Sequence, residues 1–116
     1  MKRVVILSTK APYGSSVNAE GFRAGLGLAF SEFVVDIVLI KDGVYALMKD
    51  QAPADLNMKS LAEVYTNIAQ FNINLFVDTE SLRWRGLEDK TLIAAQPLSA
   101  EELKEKIHTA DAVLTF

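Results

Sequence analysis

The chain has 116 residues, half of them hydrophobic and 23% charged, with a net charge of −3. That composition describes one folded domain with enough apolar material for a core, and it lacks the clustered Lys and Arg that binding a nucleic-acid backbone demands. There is no cysteine, which excludes disulfides, thiolate metal sites and thiol nucleophiles.

Lys2 and Arg3 resemble the charged start of a signal peptide, but the apolar run after them is too short for one. The same segment, residues 2–8 (KRVVILS), has the length and β-branched content of a buried strand. A loop with Pro12, Tyr13, Gly14, Ser15 and Ser16 follows, and then a helix from about residue 16 to residue 30. Phe22, Leu26, Ala29 and Phe30 share one stripe of that helix at helical spacing. Gly21, Gly25 and Ala29 lie four apart on a neighbouring stripe. Each glycine costs about 1 kcal/mol relative to alanine in a helix interior, and the expected compensation is close approach to a sheet or a partner.

Residues 33–40 (FVVDIVLI) predict a second strand. This is the longest apolar stretch; Asp36 interrupts it, and it is far shorter than the ~20 residues of a membrane span. Asp42-Gly43 ends the strand, and a short helix through Tyr45, Leu47 and Met48 follows. A linker containing Pro53 leads to the clearest helical pattern, Met58, Leu61, Ala62, Tyr65, Ile68 and Ala69, with Asp55 or Asn57 as a cap. Residues 72–77 predict a third strand, and residues 78–86 a short helix ending at Gly86. A fourth strand is expected over 91–95. Ser99 and Glu102 then form a capping box, with Leu98 and Leu103 as its hydrophobic staple. The helix so begun packs Leu103, Ile107 and Ala110, and places Lys104, Lys106 and His108 where the helix dipole favours positive charge. Residues 112–116 predict a fifth strand.

Strands alternating with helices predict a single α/β domain over residues 1–116. Its architecture is three-layer α/β/α around a mainly parallel five-stranded sheet, flavodoxin-like in character. Ligands and chemistry gather at the carboxyl ends of strands in such folds, which singles out residues 10–16, 41–44 and 78–86. Tyr13, Gly14, Ser15 and Ser16 precede a helix and form a candidate anion or ligand loop, against an ordinary turn with an N-cap; the segment is neither a P-loop nor G-x-G-x-x-G. Asp42 is a candidate site carboxylate or a cap, with Gly43 allowing the turn. Asp78 follows the third strand, where a phospho-accepting aspartate would stand, but the first strand ends in Ser8-Thr9-Lys10 without the acidic residues that chemistry needs. The alternative is that Asp78 caps the turn after it. Arg83, Trp84 and Arg85 suit an anion or partner surface, or a solvated helix face with one buried ring. His108, the only histidine, builds no metal site or triad alone.

Read together, these loops resemble the TusC/DsrF-like branch of the DsrE/DsrF-like sulfur-relay family. The resemblance rests on Ser8-Thr9-Lys10-Ala11-Pro12-Tyr13-Gly14, Glu20-Gly21, Asp42-Gly43-Val44 and the segment Ser81-Leu82-Arg83-x-Arg85-Gly86-Leu87. It extends through Pro97-Leu98 to the ending Asp111-Ala112-Val113-Leu114-Thr115-Phe116. The family implies subunits that pass persulfide sulfur toward 2-thiolation of tRNA or serve sulfur oxidation, assembled as heterohexamers of TusB-, TusC- and TusD-type chains. It also implies a relay cysteine on the DsrE/TusD-like subunit, and often one in TusC-type chains eight residues before the glycine of the arginine-glycine-leucine segment. Counting back eight from Gly86 reaches Asp78. A carboxylate has no persulfide chemistry, so the implied role is a non-catalytic, cytoplasmic subunit partnered by DsrE/TusD-like and DsrH/TusB-like chains. It would have no cofactor, no metal and no direct nucleic-acid or membrane contact. Two other functions compete. One is a homo-oligomeric anion- or small-ligand-binding protein using Tyr13–Ser16 with Asp78 and Arg83 or Arg85 nearby, in a candidate pocket or interface of Asp42, Gly43, Asp78, Ser81, Arg83, Trp84 and Arg85. The other is an enzyme with Asp78 as acid or base.

Overall fold

The structure, a computed structural model, describes residues 2–11, 17–47, 73–87 and 95–116. Five strands are seen: β1 (Arg3–Ser8), β2 (Val34–Leu39), β3 (Ile73–Asp78), β4 (Gln96–Leu98) and β5 (Ala112–Thr115). They form one sheet in the order β4-β3-β2-β1-β5, every neighbouring pair parallel. Four strands fall within a residue or so of where the sequence predicts them. Of the strand expected at 91–95, all but Ala95 lies outside the described residues, and β4 starts one residue later at Gln96. Its Pro97 is tolerated because, among the described residues, β4 is an edge strand. The helix expected over residues 58–69 also lies outside the described residues.

The helices are α1 (Val17–Phe30), a 3₁₀ helix (Lys41–Leu47), α2 (Thr79–Trp84) and α3 (Ala100–Thr109). Alternate strand residues point to opposite faces, and the core divides accordingly. Val4, Ile6, Val35, Ile37, Leu75 and Val77 pack on one face with Phe22 of α1, Val44 of the 3₁₀ helix and Leu82 of α2. On the other face Val5, Val38, Phe76 and Leu98 meet Leu103 and Ala110 around α3. Three layers result.

The glycines of α1 serve close approach. A Cβ at Gly25 would stand 3.2 Å from the Ile37 side chain and 3.4 Å from that of Ile6, and one at Gly21 would stand 3.3 Å from the Phe116 ring. The helix therefore lies close on the sheet, which offsets its low intrinsic propensity. Phe30 departs from the predicted apolar stripe. It is 72% exposed, because the stripe that meets the sheet runs through Phe22, Gly25, Leu26 and Ala29, and Phe30 sits at its margin on the last residue of the helix.

Asp36 faces the α3 layer and has no solvent exposure. Its Oδ2 accepts hydrogen bonds from Arg3 Nη1 at 2.5 Å and Lys106 Nζ at 3.1 Å, and its Oδ1 accepts from Asn74 Nδ2 at 2.9 Å. Arg3 thus belongs to the fold. Lys106, expected to serve the helix dipole, reaches into the sheet and stands 4.0 Å over the Phe76 ring centroid. Burial pushes the Asp36 carboxyl up, but the hydrogen bonds from Asn74, Arg3 and Lys106 and the charge of Lys106 outweigh burial and hold it below its ordinary value.

The folded carboxyl binds its proton more weakly than the unfolded one. Its contribution is therefore complete above the ordinary aspartate value of about 3.9 and is lost as pH falls below that toward the folded value. Replacing Asp36 by Asn strands two cations; Arg3 is 42% exposed and relaxes into solvent, while Lys106 at 17% does not. The expected cost at neutral pH is about 3 kcal/mol, the lower end for a broken buried pair. Denaturant midpoints at neutral and acid pH check this: the variant loses stability at neutral pH and shows a smaller acid-side decline than the parent.

Candidate functional site

The carboxyl ends of β1, β2 and β3 carry the loops that the sequence singles out. α2 is only six residues long, too short to persist on local propensity, and both of its ends are tied. At the front Asp78, in extended conformation, accepts from the Ser81 amide at 3.3 Å and from Ser81 Oγ at 2.7 Å. At the back the Leu87 amide donates to the Leu82 carbonyl and the Gly86 amide to the Arg83 carbonyl. This is a Schellman closure, with Gly86 in the left-handed region at φ 64. Leu82 and Leu87, the apolar pair that accompanies such a closure, both enter the core. The segment ending Ser-Leu-Arg-Trp-Arg-Gly-Leu is therefore a helix turn with its two caps written into it.

α2 is joined to the loop after β2. Ser81 Oγ accepts from the Lys41 amide at 2.8 Å while donating to Asp78. Arg85 Nε donates to Asp42 Oδ1 at 2.9 Å, and Arg85 Nη1 donates to the Ser81 carbonyl at 3.3 Å. Asp42 was expected to cap the short helix; instead it is the second residue of the 3₁₀ helix and its carboxylate pairs with Arg85. Gly43 was expected to allow a turn, but its role is proximity. It is buried, and a Cβ there would collide with the Ser8 carbonyl at the end of β1. That carbonyl accepts from the Ile40 amide at 3.0 Å, so the three strand ends are locked together.

Of the residues singled out in the sequence, the structure brings Asp42, Gly43, Asp78, Ser81 and Arg85 together. Trp84 does not join them and is not buried: its ring is 84% exposed, and Arg83 beside it is exposed as well. Tyr13, Gly14, Ser15 and Ser16 lie outside the described residues. His108 is exposed in the last turn of α3. Between β1 and β5, where the chain reverses its direction across the sheet, the Thr9 amide and Thr9 Oγ1 both donate to the Phe116 carbonyl, at 2.9 and 2.6 Å. This contact was not anticipated in the sequence. Asp36 was missed too, although an aspartate inside an apolar strand marks a charge that must find partners.

Chemically, the cluster is a carboxylate held by a hydroxyl and an amide, next to a half-exposed ion pair. It contains no thiol, and the sole histidine is elsewhere. Among the described residues no group of three or more His, Cys, Asp or Glu stands where it could hold a metal, and no helix is long and apolar enough to cross a membrane. A separate cleft of about 510 Å³ opens on the α3 face over Phe76 and Leu98, rimmed by Arg3, Glu102, Glu105 and Lys106.

These features define a doubly wound α/β protein whose strand-end loops are closed by caps and cross-links. The chain belongs to the DsrE/DsrF-like family, whose profile matches residues 2–116. Within that family it is TusC/DsrF-like. It is 35% identical to the TusC homolog of Vibrio parahaemolyticus and 29% identical to the TusC proteins of Buchnera aphidicola and Escherichia coli, each match covering the whole of both chains. Among solved structures it resembles the ychN protein of E. coli, with a TM-score of 0.87 at 25% identity over the full length of both chains. A protein of unknown function from Methanobacterium thermoautotrophicum shares the fold, with a TM-score of 0.65 at 12% identity over the full length of both.

Three substitutions test the capping of α2 and the close approach at Gly43. Asp78→Asn keeps an N-capping side chain and is expected to change stability by only a few tenths of a kcal/mol, whereas Asp78→Ala removes the cap and costs about 1 kcal/mol. Gly43→Ala forces the strand ends apart and costs about 3 kcal/mol. Thermal or urea unfolding measures all three, and equal losses for the two Asp78 variants would contradict the capping role.

Proposed function

We propose that this chain is a non-catalytic subunit of a cytoplasmic sulfur relay. In this role it assembles with DsrE/TusD-like and DsrH/TusB-like chains that supply the persulfide-carrying cysteine. The observation that carries the reading is the state of position 78, which counting from Gly86 makes the equivalent of the family cysteine. The side chain there is a carboxylate engaged in capping α2, in a chain with no thiol anywhere. Persulfide transfer needs a thiolate that attacks and is left as a persulfide, so what this chain contributes is scaffold and contact. The capped α2 and its ties to the 3₁₀ helix keep the loop in a fixed shape without a cysteine. Exposed Trp84, at the end of that helix, is the kind of side chain that anchors a partner. The TusC names of the relatives, set beside the resemblance noted above, favour tRNA 2-thiouridine synthesis over sulfur oxidation as the pathway served.

The test is assembly followed by function. Co-expressed with DsrE- and DsrH-like chains encoded near it, the protein is expected to elute from sizing chromatography in one complex with them. Omitting it is expected to lower sulfur transfer to the acceptor at least about tenfold, equivalent to ~1.4 kcal/mol in the rate barrier, and Asp78→Asn is expected to restore transfer fully. Failure to co-elute with every such chain would sink the reading. A loss of transfer with Asp78→Asn despite intact assembly would assign the carboxylate a chemical role instead.

A further inference from the structure

The two edges of the sheet are built differently. β4 is three residues long, contains Pro97 and leads into a first helical turn bearing Glu101 and Glu102. Short length, proline and nearby charge are the usual means of keeping an edge strand from pairing with another chain. β5 has no charge and no proline, and all four of its residues are exposed. Its register with β1 puts Val113 and Thr115 on the α3 face beside Val5 and Leu7, and Ala112 and Leu114 on the α1 face beside Val4 and Ile6. Val113 is 37% and Leu114 38% exposed, so apolar surface shows on both faces of one strand.

The backbone of β5 is equally one-sided. Phe116 donates its N–H to the Leu7 carbonyl and accepts from the Thr9 amide, both at 2.9 Å, so both of its groups face β1. Backbone groups along a strand alternate sides, which turns those of Ala112 and Leu114 toward β1 and those of Val113 and Thr115 outward. Among the described residues no strand pairs with that outer edge.

We propose that this edge is an interface between two copies of the chain, paired antiparallel through β5 about a two-fold axis perpendicular to the sheet. Parity fixes the register. Opposed side chains must share a face, and only Val113 and Thr115 have outward backbone groups. The arrangement that uses all of those groups sets Val113 opposite Thr115 of the second copy, each such pair exchanging both N–H···O bonds, and sets Leu114 opposite Leu114 of the second copy at the close, non-hydrogen-bonded position. Such self-complementarity is what a two-fold interface requires. No like charges meet: the nearest charged side chain, Asp111, lies outside the paired stretch and accepts from the Arg3 amide at 2.7 Å. A strand edge falls short of the roughly 1,200 Å² that stable interfaces bury, so the dimer dissociates at concentrations on the order of micromolar. The inference goes beyond the relay reading and does not rest on it, since the outer edge of β5 carries none of the residues used there.

Because the chain has no cysteine, one introduced thiol reports one contact. Leu114→Cys places two thiols on Cα atoms about 4.5 Å apart, within disulfide range. It is expected to give a covalent dimer under mild oxidation, read on a non-reducing gel. In Ala112→Cys the two thiols lie about 14 Å apart along the strands, four residues at ~3.4 Å each, and the yield is expected to be at least tenfold lower. Sedimentation velocity of the parent chain is expected to show a dimer fraction that rises with concentration. Thr115→Pro removes an outward N–H and no bond to β1, and Val113→Lys adds an edge charge; each is expected to shift the monomer–dimer midpoint upward about tenfold or more while circular dichroism stays that of the parent. A parent chain that stays monomeric at all concentrations, or equal cross-linking of the two cysteine variants, overturns the proposal. So does a cross-link from Leu114→Cys that forms only to a co-expressed DsrE-like chain, an outcome that leaves the relay reading intact. A homodimer that assembles with no such chain supports this inference and defeats the relay reading.

Discussion

A carboxylate with no solvent exposure stands at the centre of the sheet, and much of the arrangement follows from the need to satisfy it. An ionised aspartate cannot be left in an apolar interior without partners. Asp36 draws its three from separate parts of the chain: Arg3 of β1, Asn74 of β3 and Lys106 of α3. The first two reinforce strand pairs that the backbone already joins. The third does more. α3 buries none of its residues, and its apolar contact with the sheet rests on Leu103 and Ala110, so Lys106 is the point at which this helix is fixed to a particular place on that face. With α3 docked opposite α1, a right-handed crossover from β4 carries the chain back past β3, β2 and β1, and β5 lands on the far side of β1. The Thr9–Phe116 contact at the ends of β1 and β5, and the exposed edge of β5, both depend on that docking.

At the other end of the strands the constraints are local hydrogen bonds. Among the described residues, the polar groups gathered there have structural partners: Asp78 holds Ser81, Ser81 holds the Lys41 amide, Asp42 holds Arg85, and Thr9 closes on the Phe116 carbonyl. Glycine at position 43 lets the loop after β2 touch the end of β1. The exposed Asp42–Arg85 pair adds little to stability, well under 1 kcal/mol for a pair of this kind, and its effect is to orient two loops relative to each other. A thiol-dependent site would need a thiolate at position 78. The side chain there is a half-buried carboxylate whose Oδ2 caps a helix.

The sequence foreshadowed whatever local chemistry decides. β-branched runs marked β1, β2, β3 and β5, Ser99 and Glu102 announced the capping box, Gly86 ended α2, and Gly21 and Gly25 foretold a helix pressed on a sheet. These signals sit within a few residues of what they cause. The pairings of Asp36 were not legible, because their partners lie 33, 38 and 70 residues away and depend on the strand order. Asp42 looked like a cap because its true partner is 43 residues distant. Gly43 looked like a turn residue for the same reason: the Ser8 carbonyl that forbids a side chain there is brought close only by the sheet. The candidate loop of Tyr13, Gly14, Ser15 and Ser16 stays a sequence-level expectation. The family, by contrast, was legible as a pattern of loop segments spread along the chain, because the fold holds those loops by short capped motifs that leave a signature in sequence.

Where a protein leaves surface unsatisfied says what kind of contact it is built for. Among the described residues, the strand-end polar groups of Thr9, Asp42, Asp78, Ser81 and Arg85 are internally bonded, Asp36 is paired with cations, and no buried side-chain polar atom lacks a partner. Among the described residues, apolar and backbone surface is also open: Trp84 standing into solvent at the end of α2, and β5 with Val113 and Leu114 showing on both faces of an edge that neither charge nor proline guards. An enzyme concentrates its unsatisfied polarity in a cleft, where a substrate completes it. A subunit has the opposite distribution, with a closed interior chemistry and open apolar edges. On the relay reading proposed above, the capped carboxylate at position 78 fits the second pattern. It does so for a physical reason, since in that reading a capped loop without a thiol would present its surface to a thiol carried by another chain without competing for the sulfur.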